Sequence, residues 1–161
     1  MVSILRVDAR LLHGQVAVSW VNASGASSIL VADDLIMKNE IAKMAVQMAK
    51  PAGINLAVRS IEDGIALLKD PRTTNMKIFV IVRTVQDALR VVDAVEGINY
   101  VNIGGITQKE GSVVSGAAVF INQEEAQVIQ ELISKVEKVD FRMVANETAR
   151  SAESVIKGLK F

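Results

Sequence analysis

The sequence predicts an α/β fold with a doubly wound, mostly parallel sheet of about seven strands and helices on both faces. Two observations support this prediction. Short apolar runs alternate along the 161 residues with segments whose apolar residues recur at helical spacing. The short runs are also continuously apolar, as expected for strands that are covered on both faces. This alternation favours right-handed βαβ units, and because no linker or repeat interrupts it, we expect a single domain over residues 1–161.

The predicted strands are the short apolar runs. They comprise Val2–Val7, Ser28–Ala32, Ile54–Val58, Lys77–Val82, Ile98–Ile103, Ala117–Ile121 and Phe141–Ala145. A turn at Gly104–Gly105 is expected to end the fifth strand. The segment Gln108–Ser115 is polar and contains glycine, which predicts a loop.

Six helices are predicted to follow these strands, and the first begins just after His13. Thr84 and Asn122 precede helical patterns and are predicted N-caps, because their side chains can accept hydrogen bonds from the first helical turn. Four apolar residues of the second helix recur at helical spacing, so we expect them on its core face, with no special role for the methionines. They are Ile41, Met44, Ala45 and Met48.

The composition excludes several classes of function. Eighteen basic and eighteen acidic residues cancel, so the charge gives no reason to expect nucleic acid or an anionic membrane as a partner. The chain has no cysteine, which removes disulfides, thiol catalysis and cysteine–metal sites. With one histidine, it cannot build a multi-histidine metal site. We therefore expect neither a metal nor another cofactor.

The absence of a membrane or export signal predicts a soluble, cytoplasmic protein. No apolar stretch approaches the roughly 20 residues that cross a bilayer. The N-terminal segment is too short for a signal peptide and already carries Arg6. If the protein works at a membrane, another subunit must hold it there.

The segment Arg6–Val16 joins the first predicted strand to the first predicted helix, and it contains the only histidine, His13. Open α/β sheets bind ligands at the carboxyl ends of their strands. The free N–H groups and the dipole at a helix start favour an anion. His13 stands beside Gly14 and three residues after Arg10. This pattern predicts a histidine that carries a phosphoryl group.

Each neighbour of His13 has a chemical reason to be there. Imidazole is largely neutral near pH ~7, so one ring nitrogen is free to attack phosphorus. The Arg10 guanidinium can present a planar fork of donors to phosphate oxygens, and Gly14 allows the backbone to approach a bound group closely. Asp8 or a backbone carbonyl can hold the other ring N–H and select the tautomer. For Asp8, an ordinary loop-capping role remains an equal alternative.

The segment from Arg6 to Val16 resembles the phosphorylation-site segment of the IIB component of the mannose/fructose/sorbose family of bacterial sugar phosphotransferase systems. That family pattern is Arg-Ile/Val-Asp-Asp-Arg-Leu-Ile/Leu-His-Gly-Gln-Val, with a tryptophan shortly after it, and Trp20 stands at that place. The similarity spans nearly the whole chain. It extends through Val31–Asp34 and Asn102–Ile106 to the helix containing Glu124 and Glu125.

The sequence departs from the family pattern at two places. Ala9 stands where the family commonly has aspartate, so that carboxylate cannot be essential here. The last predicted strand and its continuation, Phe141–Asn146, lack the proline that usually follows, which leaves the chain path there open.

The resemblance implies a phosphoryl relay on a seven-stranded, mainly parallel sheet. His13 would accept phosphate from a phosphohistidine of a IIA protein and donate it to a sugar bound by the membrane components IIC and IID. Arg10 falls on the family arginine that supports transfer, Gly14 and Gln15 would help to bind phosphate, and the family suggests Nδ1 as the acceptor. Mannose, fructose, sorbose and N-acetylgalactosamine all stay open as the sugar, as does assembly into a homo-oligomer.

Four further features are weaker candidates. Arg6 is predicted to be structural. Arg83 ends the fourth predicted strand and can approach His13 if the two strand ends are neighbours; otherwise it is a solvated residue at a helix start. Gly104–Gly105 can form an anion-binding nest or a plain turn. Asp33–Asp34 resembles an acidic metal or phosphoryl-acceptor pair, but helix capping is the favoured interpretation.

Other functions fit less well. An aspartyl-phosphate receiver needs an aspartate ending the third strand and a lysine ending the fifth, where this chain has Arg59-Ser60 and Gly104-Gly105. The chain has neither a Gly-x-Gly-x-x-Gly string nor a Gly-Lys-Ser/Thr phosphate loop, which argues against nucleotide binding. A catalytically inert binding or regulatory module of the same fold remains the alternative.

Overall fold

Strands and helices alternate along the chain in the computed structural model, which describes residues 1–116 and 118–161 without the side chains of Gln15 and Val16. Its strands are β1 (Val2–Asp8), β2 (Ser28–Ala32), β3 (Asn55–Arg59), β4 (Ile78–Val82), β5 (Tyr100–Gly105), β6 (Val113–Val114), β7 (Phe120–Ile121), β8 (Lys138–Phe141) and β9 (Arg150–Ser151). Its α-helices are α1 (Gly14–Ser24), α2 (Glu40–Met48), α3 (Ile61–Lys69), α4 (Val85–Ala94), α5 (Gln123–Lys135) and α6 (Ala152–Gly158). Short 3₁₀ helices cover Ile36–Lys38 and Pro71–Thr73.

The sheet confirms the predicted fold class. Its seven strands follow the order β3-β2-β4-β1-β5-β8-β9, and every pairing is parallel except that of β8 with β9. Strand β1 is the central strand, with β4 on one side and β5 on the other. The loop that follows β1 therefore emerges at the middle of the carboxyl edge of the sheet.

Helices cover both faces of the sheet, which explains why the central strands are apolar on both sides. Helices α1 and α2 pack on one face, where Trp20 and Val46 are buried. Helices α3 to α6 pack on the other face through residues such as Ala88 and Ile129. Among the described helices, none is both long and apolar enough to cross a membrane.

Both predicted N-caps are confirmed. The Thr84 side chain accepts a hydrogen bond from the N–H of Asp87 at 3.1 Å. Asn122 and Glu125 form a reciprocal capping box, in which each side chain accepts from the other residue's backbone N–H. Such caps satisfy donors that the first turn of a helix cannot pair internally.

Two predicted strands differ from the structure. The predicted strand Phe141–Ala145 shares only Phe141 with β8, which covers Lys138–Phe141. After Phe141 the chain leaves the sheet, and the Met143 carbonyl accepts hydrogen bonds from side chains on β1 and α1. Within Ala117–Ile121, strand β7 covers only its last two residues and pairs with β6 in a separate hairpin, while Ala117 lies outside the described residues. The seventh strand of the sheet is β9, which the sequence did not reveal.

The predicted core face of α2 is wrong. This helix packs on the sheet through Val46, flanked by the half-buried Ala42 and Ala49. Ile41, Met44 and Met48 lie on the other side of the helix and are 81%, 59% and 84% exposed. Helical spacing groups these side chains on one face, but it does not say which face meets the sheet.

Candidate active site

The loop between β1 and α1 has a constrained shape. Leu11 adopts a left-handed conformation (φ 58°), which is unusual for a residue with a side chain. Its N–H donates to the Asp8 carbonyl at 2.9 Å, and the side chains of Leu11 and Leu12 are buried. Burial of these two side chains compensates the backbone strain at Leu11. His13 follows them in an extended conformation and is the N-cap residue of α1.

The imidazole of His13 is held through one ring nitrogen. Its Nε2 lies 3.2 Å from Oδ2 of Asp8, whose side chain is only 5% exposed, whereas the His13 side chain is 21% exposed. Because an ionised carboxylate can only accept, Nε2 is the protonated nitrogen in this contact. Nδ1 is then the unprotonated nitrogen, and among the described residues nothing forms a hydrogen bond with it.

Asp8 is itself fixed by two further donors. Its Oδ2 accepts from Nη2 of Arg6 at 3.0 Å, and its Oδ1 accepts from the backbone N–H of Arg10 at 2.9 Å. Burial lowers the pKa of the Arg6 guanidinium, and the negative charge of Asp8 opposes that shift. The carboxylate therefore combines loop support with a contact to His13, the two roles that the sequence left as alternatives.

Arg6 reaches much further than the sequence suggested. Its Nη1 donates to Oδ1 of Asn102 and to the carbonyl of Arg142, and its Nη2 donates to the carbonyl of Met143 at 2.9 Å. The guanidinium also lies 5.2 Å from the centre of the Trp20 ring, a distance typical of a cation–π contact. These contacts clamp the segment after β8 against the central strand, and no local sequence signal could have revealed them.

The predicted turn at Gly104–Gly105 is wrong, and so is the anion nest. Both residues belong to β5, and neither has a positive φ. A Cβ on Gly104 would lie 2.1 Å from the Arg6 guanidinium, and one on Gly105 would lie 3.2 Å from Oδ1 of Asp8. The glycine pair therefore provides space for the buried arginine and aspartate.

A cavity of about 670 Å³ opens beside His13. Asp8, Arg10, His13 and Gly14 line it from the β1 side, and Gly104–Gly105 line it from β5. Its remaining walls are formed by residues that were not predicted as site residues. They are Ala9, Ile106, Thr107, Gln108, Ala118, Phe120, Met143 and Val144. The cavity is large enough for a phosphoryl group together with the chemical group that carries it.

Arg10 and Arg83 differ in what they contact. Arg10 is exposed, and no carboxylate within the described residues forms a salt bridge with its guanidinium. Arg83 directly follows β4, which is a neighbour of β1. Its side chain is nevertheless held elsewhere, because Nη2 binds Asp33 at 2.7 Å and Nη1 donates to the Ala9 carbonyl at 3.1 Å. The hydrogen bonds that Arg83 donates to the Asp33 carboxylate raise the pKa of Arg83. Arg83 thus supports the loop, whereas Arg10 is available to an anion.

The remaining predicted site residues have varied positions. Gly14 begins α1 with a φ of 31°, a conformation that disfavours a side chain. The side chain of Gln15 lies outside the described part of the structure. Asp33 accepts from the N–H of Ile36 at 3.0 Å, and Asp34 accepts from the N–H of Ile61 at 2.9 Å, so the acidic pair caps helices as favoured above. Among the described residues, no cluster of acidic and histidine side chains could hold a metal ion.

The polar network continues from Asn102 on β5 to the neighbouring strand β8. Nδ2 of Asn102 donates to Asp140 at 2.9 Å, and Asp140 also accepts from the Tyr100 hydroxyl at 2.9 Å. Burial raises the pKa of Tyr100 to about 12. A continuous chain of hydrogen bonds therefore connects His13 through Asp8, Arg6 and Asn102 to Asp140 on β8.

Comparisons with known proteins agree with this fold. A model of the PTS system sorbose subfamily IIB component matches residues 2–161. A probable phosphotransferase enzyme IIB component of Streptococcus pyogenes serotype M6 is 40% identical over 149 residues, covering 89% of this chain and 91% of the relative. The sorbose-specific EIIB component of Lacticaseibacillus casei is 29% identical over 150 residues, covering 91% and 90%.

A solved structure of a IIB domain also matches this chain. The IIBSor domain of the sorbose permease from Klebsiella pneumoniae matches with a TM-score of 0.93 and 27% identity, covering 100% of this chain and 99% of that domain. The fold and the matches define the class of the protein as a IIB component of a sugar phosphotransferase system, which implies a phosphotransferase role in general. Within that class, the chain belongs to the sorbose subfamily. This confirms the resemblance of its first loop to the mannose/fructose/sorbose family.

Proposed function

We propose that His13 accepts a phosphoryl group from a phosphohistidine of a IIA protein and donates it to a hexose or amino-hexose during uptake. The protein would then be a protein-Nπ-phosphohistidine–sugar phosphotransferase. Mannose, fructose, sorbose and N-acetylgalactosamine are the sugars considered. The membrane components IIC and IID would bind the sugar and hold this protein at the membrane from the cytoplasmic side.

The observation that carries the proposal is the contact between Nε2 of His13 and the buried carboxylate of Asp8 at 3.2 Å. The carboxylate keeps the proton on Nε2, so the lone pair of the ring resides on Nδ1. It also stabilises the positive charge that the ring acquires when Nδ1 bonds to phosphorus. A partly exposed imidazole with one nitrogen held in this way is suited to nucleophilic attack.

The two transfers follow from this arrangement. In the first, the P–N bond of the IIA phosphohistidine breaks as a P–N bond to Nδ1 of His13 forms, and the donor imidazole keeps the electron pair. In the second, a sugar hydroxyl attacks phosphorus and the P–N bond to His13 breaks. The hydroxyl proton goes to the freed imidazole or to solvent, and His13 is ready for another cycle.

Catalysis of phosphoryl transfer depends mainly on positioning and on neutralising the charge of the phosphoryl oxygens. Two features of the site can stabilise the transferred group in this way. Helix α1 starts at Gly14 and has no acidic residue in its first turn, so its free N–H groups and dipole favour an anion. Arg10 lines the same cavity as His13 with an exposed guanidinium. A charge-assisted hydrogen bond from Arg10 should contribute the larger share.

The proposal is tested by incubating the purified chain with phosphoenolpyruvate, the general phosphotransferase proteins and a cognate IIA protein. We expect one phosphate per chain that is labile in acid and stable in base, and that is absent from His13→Gln. Phosphorus–nitrogen coupling in an isotope-labelled sample should place it on Nδ1. Label that persists in His13→Gln would move the site elsewhere, and an unlabelled wild-type chain would favour the inert binding or regulatory module.

A further inference from the structure

Helix α2 presents an apolar face to solvent beside the candidate active site. Three of its side chains, Ile41, Met44 and Met48, are 81%, 59% and 84% exposed. Leu35 comes just before the short 3₁₀ helix that leads into α2, and it is 66% exposed. We name these four residues the α2 patch. Large exposed apolar side chains concentrated in one short segment mark an interaction site more often than single ones do.

The α2 patch is continuous with the His13 loop. A depression of about 390 Å³ is lined on one side by the loop from Ala9 to Gly14 and on the other by α2 residues including Ala45 and Ala49. Successive residues turn by about 100° around a helix, so Ile41 lies next to Ala45 and within about 60° of Met44 and Met48. One apolar surface therefore runs from the edge of the His13 loop outward over α2.

The charges around the α2 patch favour an anionic partner. Arg10 borders the depression, and Lys38 and Lys50 lie at the two ends of α2. Among the described residues, no carboxylate forms a salt bridge with any of these three cations, whereas the one acidic residue of α2, Glu40, pairs with Lys43. An apolar centre with a cationic border fits a protein surface that carries a negative group.

We propose that the α2 patch is the docking surface for the phosphoryl donor, a protein that presents a phosphohistidine to His13. This inference rests on the proposed function. The donor arrives carrying a phosphoryl dianion while this chain is unphosphorylated, so the cationic border attracts it. The sugar is uncharged and arrives when His13 already carries phosphate, so the same cations give no reason to favour the acceptor. The flexible methionines can adapt to the donor surface.

The test compares two phosphoryl donors on one variant. In I41S/M44S/M48S, three exposed side chains change and the core contact of Val46 stays. The control is Phe161→Ser, because Phe161 is 55% exposed and follows α6, which packs on the opposite face of the sheet. We measure the initial rate of His13 labelling against the concentration of phosphorylated IIA protein. The second donor is phosphoramidate, whose P–N bond breaks with loss of ammonia and which needs no protein docking.

We expect the triple variant to raise the half-saturating IIA concentration by about tenfold or more, because apolar contacts at an interface centre carry much of the binding energy. Labelling by phosphoramidate, the melting temperature and the control variant should stay unchanged. Lys38→Glu should also raise the half-saturating concentration by about threefold at low salt, and added salt should reduce that difference.

Other results would overturn the proposal in recognisable ways. An unchanged IIA dependence with impaired transfer to sugar in membranes containing IIC and IID would make the α2 patch a surface for the membrane components. An unchanged IIA dependence with a loss of self-association in sedimentation would make it a surface for a second copy. If neither donor labels wild-type His13, the proposed function itself fails, and the docking proposal fails with it.

Discussion

Two strand ends at the carboxyl edge of the sheet carry similar acid–arginine pairs with different uses. At β1, Asp8 binds Arg6, and at the end of β2, Asp33 binds Arg83. Each aspartate also accepts a backbone N–H from the segment that follows it, from Arg10 in the loop after β1 and from Ile36 at the start of a 3₁₀ helix. The third partner of Asp8 is an imidazole, whereas Asp33 has no such contact among the described residues. The same pairing therefore secures a helix start in one place and can orient a nucleophile in the other.

Burial separates the two pairs further. The side chain of Arg6 is 1% exposed and that of Arg83 is 30% exposed. Breaking a fully buried ion pair leaves an uncompensated charge, which water can solvate more easily at a partly exposed site. Variants of the two pairs should therefore differ both in stability and in phosphoryl transfer.

The largest contrast is expected between Asp8→Asn and Asp33→Asn. Asp8→Asn removes the charge that holds Nε2–H and leaves Arg6 unpaired, so phosphoryl acceptance should fall on the order of a hundredfold or more. The free energy of unfolding should fall by about 3–5 kcal/mol. Asp33→Asn should lower stability by about 1–3 kcal/mol and keep transfer within about threefold of wild type. The rate of His13 labelling measures phosphoryl transfer, and urea unfolding measures stability. Equal transfer defects in the two variants would exclude a special role of Asp8.

Arg10→Ala and Arg83→Ala should show opposite signatures. Arg10 is exposed, so its removal should leave the melting temperature unchanged and slow transfer by about tenfold to a hundredfold, the equivalent of one charge-assisted hydrogen bond. Arg83→Ala leaves Asp33 without its arginine and should lower stability by about 1–3 kcal/mol with a smaller effect on rate. Single-turnover transfer to sugar and thermal unfolding separate the two effects. Normal transfer by Arg10→Ala would exclude Arg10 from the mechanism.

The glycine pair of β5 offers a finer comparison around Arg6 and Asp8. Gly104→Ala would place a methyl group 2.1 Å from the Arg6 guanidinium, so the buried arginine must move. We expect a loss of about 1–3 kcal/mol in the free energy of unfolding, together with slower labelling of His13. Gly105→Ala meets Asp8 at 3.2 Å and should cost less than Gly104→Ala. Urea titration gives both values, and a larger loss for Gly105→Ala would contradict this packing argument.

The smallest effect concerns Tyr100, at the far end of the same network. Burial raises its pKa to about 12, so the folded state prefers the neutral phenol. This contribution to stability is fully present below pH ~10 and is lost as the pH rises towards ~12. Across that range, wild type should therefore lose about 1–2 kcal/mol of stability relative to Tyr100→Phe. This is less than the full pKa shift implies, because the ring is only half-buried and solvent screens its charge. Urea unfolding at several alkaline pH values, with Tyr100→Phe as reference, measures it; a constant difference would mean that the phenol does not titrate in this way.

Much of the fold and the position of His13 could be predicted because their causes are local. Continuous apolar runs mark strands that are covered on both faces, and side-chain caps such as Thr84 act within three residues of their partner. The loop from β1 to α1 is one contiguous segment, so its strand end, histidine and helix start can be recognised together. Its resemblance to a known family added the expected chemistry.

Only the tertiary structure decided which groups surround that histidine. Arg6 meets Asn102 and Met143, which are 96 and 137 positions away in the chain, and no periodic pattern encodes those pairings. The packing of α2 left its methionines in solvent although their spacing suited a core. Sequence by itself determined the helices, the caps and five of the seven predicted strands, since these depend on neighbours along the chain. Three features depend on how distant segments pack, and this packing exists only in the folded molecule. They are the buried Asp8 and Arg6 that hold His13, the space provided by Gly104–Gly105, and the exposed α2 patch.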